Sequence, residues 1–208
     1  MSDHLPVDPA LVARMAAASS PAAMLRALPL PLLISVRARG GACSRVAAAL
    51  AVEALPGHGP MVSSPVGRVI WLRPDEWLVE AAITPRDALL AALSQAVGDG
   101  TADAEGAVVE LLASRHVLEL SGPRTRDVLA AMCTLDLHPR AFPVGHATQT
   151  LLARAPVLLQ LVDATPTWRL LVRPSFVSYV VEWLADAMEG AEPFPRGGDA
   201  GGAGRTAG

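Results

Sequence analysis

His116, Cys133, His138 and His146 are the only cluster of possible metal ligands in this chain. Zinc sites favour close pairs of ligands, roughly two to four residues apart, with a second such pair further along. Cys133 and His138 are separated by four residues, but no second close pair follows. Surface or turn histidines are the ordinary reading. Ser121-Gly122-Pro123 precedes a helical segment and offers backbone amides to an anion. The ordinary alternative is a strand-to-helix turn, with Ser121 as cap and Pro123 at the first helical position. Paired carboxylates for acid–base work belong on facing element ends. Asp75 and Glu76 instead fall in a tight turn and Asp136 in a loop, so solvated turn residues are expected. A serine hydrolase needs Gly-x-Ser-x-Gly and a dinucleotide site needs a glycine fingerprint; neither is present. Trp71 and Trp77 flank the Pro74-Asp75 turn and pair across a hairpin, either as an exposed aromatic patch for a partner or as core. No catalytic, cofactor-binding or metal residue is assigned.

Composition removes further chemistry. All 17 basic residues are Arg, so there is no Schiff-base lysine and no phosphate-loop lysine behind the Gly-rich stretch 197–204. A net charge of −3, with one Tyr and three Phe, gives neither the basic field nor the stacking surfaces of a nucleic-acid binder. With 51% hydrophobic and 18% charged residues the chain is globular. Cys43 and Cys133 follow no redox or ligand spacing and read as reduced cytosolic thiols. Met1 to Pro9 has no apolar signal region, and the longest apolar run, Val46 to Leu55, contains Glu53 and is too short to span a bilayer. A soluble, cytoplasmic protein is expected, with no membrane or nucleic-acid partner.

The elements that must carry these residues follow from periodicity and turn chemistry. Residues 1–31 read as an N-terminal arm with a short helix over Ala10 to Ala18. In the first half, about 32–100, Leu32 to Ala38 is a strand and Ala42 to Leu55 a helix. Gly67 to Leu72 and Glu76 to Ala81 form a hairpin. A helix follows, capped by Thr84 with Pro85 at its first position, and ended by Gly98. The second half, about 107–189, repeats the order. Val108 to Leu112 leads in, and His116 to Leu120 is a strand. Arg124 to Met132 is a helix, and Ala147 to Ala153 with Pro156 to Val162 is a hairpin. Trp168 to Val172 is a strand and Phe176 to Met188 the last helix. Residues 190–208, with Pro193, Pro195 and seven Gly, read as a disordered tail. The expected class is α+β: antiparallel sheets with helices packed on one side, built from two split βαβ-like units.

Three stretches resemble the gamma subunit family of heterotetrameric sarcosine oxidase. The first is Val69 to Val79, Val-Ile-Trp-Leu-Arg-Pro-Asp-Glu-Trp-Leu-Val. The second runs from Leu118 to Leu129 and on from Cys133 to Gly145, including Asp-Leu-His-Pro-Arg-Ala-Phe-Pro-Val-Gly at 136–145. The third comprises Gln149 to Leu159, Leu170 to Phe176 and Glu182 to Ala187. The likeness spans about residues 67–188. Where relatives carry an Asp-x-Ser-His pattern, this chain reads Val109-Glu110-Leu111-Leu112-Ala113-Ser114. The resemblance implies a bacterial complex that oxidatively demethylates sarcosine to glycine, with H2O2 and 5,10-methylenetetrahydrofolate. It implies alpha, beta and delta partners holding FAD, FMN, NAD, tetrahydrofolate and zinc, with none of these bound by this chain. It also implies a fold like the folate-binding aminomethyltransferase domain of the glycine cleavage system. A non-catalytic structural subunit is therefore the leading expectation. A stand-alone folate-binding or aminomethyltransferase-like protein is the alternative, and a generic interaction module of an unrelated assembly a third reading.

Overall fold

Alternation and turn chemistry place most of the strands where they are found. The computed structural model describes residues 7–81, 85–98 and 103–190. In chain order these form α1 (Pro9–Ala18), β1 (Met24–Leu28), β2 (Leu32–Ala38), α2 (Gly41–Ala49), β3 (Gly59–Pro60), β4 (Val62–Ser64), β5 (Gly67–Arg73), β6 (Glu76–Ala81) and α3 (Arg86–Val97). Then come β7 (Gly106–Glu110), a 3-10 turn (Leu112–Ser114), β8 (His116–Ser121), α4 (Thr125–Ala130), β9 (His146–Leu152), β10 (Ala155–Asp163), β11 (Thr167–Val172), a second 3-10 turn (Pro174–Phe176) and α5 (Val177–Gly190).

Two antiparallel sheets result, in the orders β4-β5-β6-β2-β7 and β1-β8-β11-β10-β9-β3. The strands alternate two apolar faces, so each sheet buries both. Ile34, Val36, Val69 and Val79 face Val46 of α2 and Leu89 and Leu93 of α3. Leu118, Leu120, Leu159 and Leu170 face Met15 of α1, Val128 of α4 and Val181 of α5. Leu33, Ile70 and Leu78 of one sheet meet Val117, Leu158 and Leu171 of the other. The layers run helix, sheet, sheet, helix, with helices on the outer side of each sheet. A fully buried Leu or Val in such a layer contributes about 1.5–3 kcal/mol, so these layers carry the fold.

The two halves correspond strand for strand: β4-β5-β6-β2-β7 matches β9-β10-β11-β8-β1. The equivalent of the β5–β6 hairpin is thus β10–β11, not the expected pair at 147–162. The Pro74-Asp75 turn corresponds to the turn where Asp163 Oδ1 accepts from the Thr165 amide at 2.9 Å. The fifth position of each sheet is exchanged. β7 opens the second half yet pairs with β2 of the first. β1 precedes the first half yet pairs with β8 of the second. The strand expected at Val108 to Leu112 therefore completes the first sheet rather than leading the second. Residues 1–31, read as an arm, supply α1 and a strand of the second sheet.

Local boundaries differ for identifiable reasons. Pro9 opens α1 and Asp8 Oδ1 accepts from the Ala10 amide at 2.8 Å, a normal cap. The helix expected to run to Leu55 ends at Ala49. The Val52 amide donates to Ala47 O and the Ala51 amide to Ala48 O, both at 3.0 Å. This is the Schellman pattern, with Ala51 at φ 53° in the place usually held by glycine, so no glycine marks the stop. Gly98 ends α3 at φ 68°, as expected. Pro85 stands at the cap position rather than inside that helix. Thr84 and the tail beyond Gly190 lie outside the described residues.

Candidate functional site

The Ser121-Gly122-Pro123 turn uses its backbone internally. The Gly122 amide donates to Pro166 O at 3.3 Å and the Arg124 amide to Ala22 O at 2.9 Å. The Thr125 hydroxyl donates to Gly122 O at 2.9 Å. Ser121 is the last residue of β8 and not a cap, and α4 starts at Thr125 after Arg124. Gly122 is needed here: it sits at φ 123°, and a Cβ would lie 2.6 Å from Ala22 O. The turn receives the strand-preceding segment of the other half, and its amides are taken.

The expected metal candidates are dispersed. His116 opens β8, and burial makes it harder to protonate than a free imidazole. Cys133 follows α4, its thiol pushed up by burial. His138 is exposed in a turn, its amide donating to Asp136 Oδ1 at 2.9 Å and its Nδ1 accepting from the Arg140 amide at 3.2 Å. His146 opens β9 edge-on to Phe142, ring centroids 6.4 Å apart. Among the described residues no three of His, Cys, Asp and Glu stand close enough to hold a metal ion.

The carboxylates divide. Asp136 is exposed, as read. Asp75 accepts from Arg39 Nη2 at 2.9 Å and Arg37 Nη2 at 3.2 Å, which ties the turn to the end of β2. Glu76 is not a solvated turn residue: it is 9% exposed, points between the sheets, accepts from the Ser35 hydroxyl at 2.8 Å and pairs with Arg73. The reason is register, since Glu76 is already the first residue of β6 and shares its inward face with Leu78 and Glu80. The Trp pair also divides. Trp71 and Trp77 are direct cross-strand partners. Trp77 is core and donates from Nε1 to Pro56 O at 2.8 Å. Trp71 is half-buried, with the His58 ring set edge-on at 5.2 Å.

The hydrogen bond from Arg39, opposed in part by desolvation, holds the Asp75 carboxyl below the usual carboxylate range. A carboxylate depressed in the folded state stabilises above its unfolded pKa, about 4, and loses that contribution as pH falls through the lower folded value. Asp75→Asn is expected to melt below the parent chain at pH 7, with the two melting curves converging toward pH 2. A gap that stays constant across that range in a thermal-melt series removes the ion pair from the account.

Two features escaped the sequence reading. The first is the support of the 136–145 stretch. Phe142 packs on Trp168 with centroids 5.2 Å apart, and the Arg126 guanidinium lies over the Trp168 ring at 5.5 Å. Arg126 Nε also donates to Leu137 O at 2.9 Å. The second is a polar layer inside the sandwich. Glu80 pairs with Arg68 Nη2 at 2.7 Å and accepts from Gln160 across the two sheets. Glu119 pairs with Arg26 and Arg169 on its flanking strands. A groove of about 250 Å³ lined by Arg37, Arg39, Asp75 and Glu105 is likewise self-neutralised, with Glu105 held by Arg45 and the Gly41 amide. These groups are arranged to hold the chain together rather than to present a free nucleophile or base.

Comparisons with known proteins bear on this geometry. The profile of the "Sarcosine oxidase, gamma subunit family" matches residues 37–190. The chain is 44% identical over 168 residues to a sarcosine oxidase subunit gamma of Corynebacterium sp. (strain P-1), covering 79% of each chain. It is 41% identical over 170 residues to one of Arthrobacter sp., covering 80% of each. Among solved structures, a chain of the heterotetrameric sarcosine oxidase from Corynebacterium sp. U-96, in complex with pyrrole 2-carboxylate, matches with TM-score 0.78 and 38% identity, over 92% of this chain and 98% of that one. The glycine cleavage system aminomethyltransferase T from Bartonella henselae matches with TM-score 0.58 and 17% identity, over 84% of this chain and 48% of that one. The latter shows a shared fold.

Proposed function

We propose, because the chain belongs to the sarcosine oxidase gamma subunit family, that it serves as the non-catalytic subunit of a heterotetrameric sarcosine oxidase. The observation that carries this reading is the match, nearly end to end, with a chain of a heterotetrameric sarcosine oxidase at 38% identity. The reaction assigned to the assembly is oxidative demethylation of sarcosine to glycine, with H2O2 and 5,10-methylenetetrahydrofolate. Its partners are alpha, beta and delta subunits in the cytoplasm, where Cys43 and Cys133 remain free thiols. The unit that docks is the two-sheet body, with α1 and β1 built into it.

FAD, FMN, NAD, tetrahydrofolate and zinc fall to the partners. Two observations support that division: among the described residues no metal donor set converges, and the anion-ready amides of the Gly122 turn are occupied by carbonyls. The aminomethyltransferase likeness supports a fold and carries no folate activity by itself. The test is co-expression with the other three subunit genes and purification through a tag on this chain. Four chains in equal ratio that turn over sarcosine, beside an isolated chain that does not, are expected. Elution of the tagged chain alone, with the other three assembled and active without it, would falsify the assignment.

A further inference from the structure

The last helix carries an aromatic side chain that its own fold leaves open. α5 turns Val177, Val180, Val181, Leu184, Ala185 and Met188 to the core. Trp183 lies off that face and is 46% exposed, the most exposed of the four tryptophans. The Tyr179 ring, one turn earlier, stands beside it with centroids 6.1 Å apart. A second row runs alongside the aromatic one. Glu182 follows Tyr179 by three residues and Asp186 follows Trp183 by three, the spacing of neighbours on a helix surface. Glu189 continues that row. Arg14 of α1 bonds all three carboxylates, Glu182 at 3.1 Å, Asp186 at 2.9 Å and Glu189 at 2.6 Å. Among the described residues it is the one cation that meets them, and α5 holds no basic residue. Three carboxylates, each more than half exposed, thus share a single guanidinium, and the face keeps a negative surplus.

The aromatic row and the charge beside it select one kind of occupant. Tryptophan and tyrosine are the residues that anchor protein interfaces, where the ring fills an apolar pocket on the partner. A border of surplus carboxylate is complementary to lysine or arginine on that partner. The same surplus repels a second copy of this face, a nucleic acid and an anionic lipid surface. Partner chains are at hand, since the chain belongs to a family of oxidase subunits. We infer that the outer face of α5, with Trp183 beside Tyr179 and the Glu182-Asp186-Glu189 row, docks a partner subunit at an apolar pocket edged by basic side chains. This rests on the subunit assignment above.

The test uses the co-expressed complex, with association of the tagged chain measured against NaCl concentration. Trp183→Ser is expected to weaken association at least about tenfold. The isolated variant should still melt within about 2 °C of the parent, as a surface change does. Leu151→Ser should leave association unchanged. That side chain is 55% exposed, but β9 turns it to the side of Ala147, between the sheets and away from α5. Asp186→Asn/Glu189→Gln removes the surplus and keeps Arg14 on Glu182, so association should slow and its salt dependence flatten. A salt dependence as steep as the parent's overturns the basic-edged pocket. Full association of Trp183→Ser, with the parent complex intact, overturns the inference and leaves the subunit assignment standing. Failure of the parent itself to assemble removes both. A melt many degrees lower for Trp183→Ser places the indole under cover within its own chain and overturns the inference. Sedimentation of the isolated parent as a dimer that Trp183→Ser abolishes makes the face a self-contact and overturns it too.

Discussion

Trp168→Ala is expected to cost about 3–5 kcal/mol, the range for truncating a buried tryptophan. Trp168 is 0% exposed on β11, between Leu120 and Leu161 on its flanking strands. Its ring is also the platform for the 136–145 stretch, through Phe142 at 5.2 Å, and for Arg126 at 5.5 Å. Truncation removes the indole and leaves Phe142 and the Arg126 cation over a void. A domain this size has about 5–15 kcal/mol in total, so the variant sits near the edge of folding. Among the described residues the indole Nε1 has no hydrogen-bond partner, so Trp168→Phe gives up no hydrogen bond to them. It should lose only packing volume, about 1–2 kcal/mol. Urea unfolding of the three chains gives the comparison. Limited proteolysis adds a local readout: cleavage between Cys133 and Gly145 should appear first in the Ala variant. If Trp168→Ala unfolds within about 1 kcal/mol of the parent, the ring is not what pins that stretch.

The stretch at 136–145 shows what kind of information the sequence holds. Its resemblance to a family was plain in the residues, while its physical support was not, because Trp168 lies on another strand and Arg126 on α4. Elements defined by local chemistry were legible. β2, β6 and β8 are apolar runs set beside their own turn residues, Gly40-Gly41, Pro74-Asp75 and Ser121-Gly122-Pro123, and α3 carries its own glycine stop. Elements defined by distant partners were not. Met24 to Leu28 is a strand because Glu119 lies opposite Arg26 in register, and nothing near Arg26 in the chain announces it. The stop at Ala51 was hidden because alanine stands where glycine usually signals. The same division holds for the candidate site. The Ser121-Gly122-Pro123 amides were available to an anion on local evidence alone, and the Ala22 and Pro166 carbonyls that occupy that backbone come from elsewhere.

Register also created the charged layer inside the sandwich, where the second large effect is expected. Glu80 is 4% exposed, with Arg68 on one oxygen and Gln160 Nε2 on the other. Removing one partner of a buried pair leaves a charge with no counterion, which costs far more than the pair contributes. Arg68→Leu is expected to destabilise by about 3 kcal/mol, at the low end for such a loss because the Arg68 side chain is 23% exposed and its charge partly screened. Glu80→Met leaves Arg68 better off, since that guanidinium can turn to water, but it orphans Gln160 Nε2 as well as the already unpartnered Oε1. It should cost about 1–3 kcal/mol. Removing all three, as Arg68→Leu/Glu80→Met/Gln160→Leu, joins the layer to Leu78 and Leu158 and is expected to recover to within about 1 kcal/mol of the parent. A triple variant as unstable as the sum of its singles would show that the network contributes net stability. Recovery would assign it another role, holding the two sheets in a single register: the faces around Leu33, Leu78 and Leu158 are apolar enough to slide, and the Arg68–Glu80–Gln160 chain joins one position on each sheet.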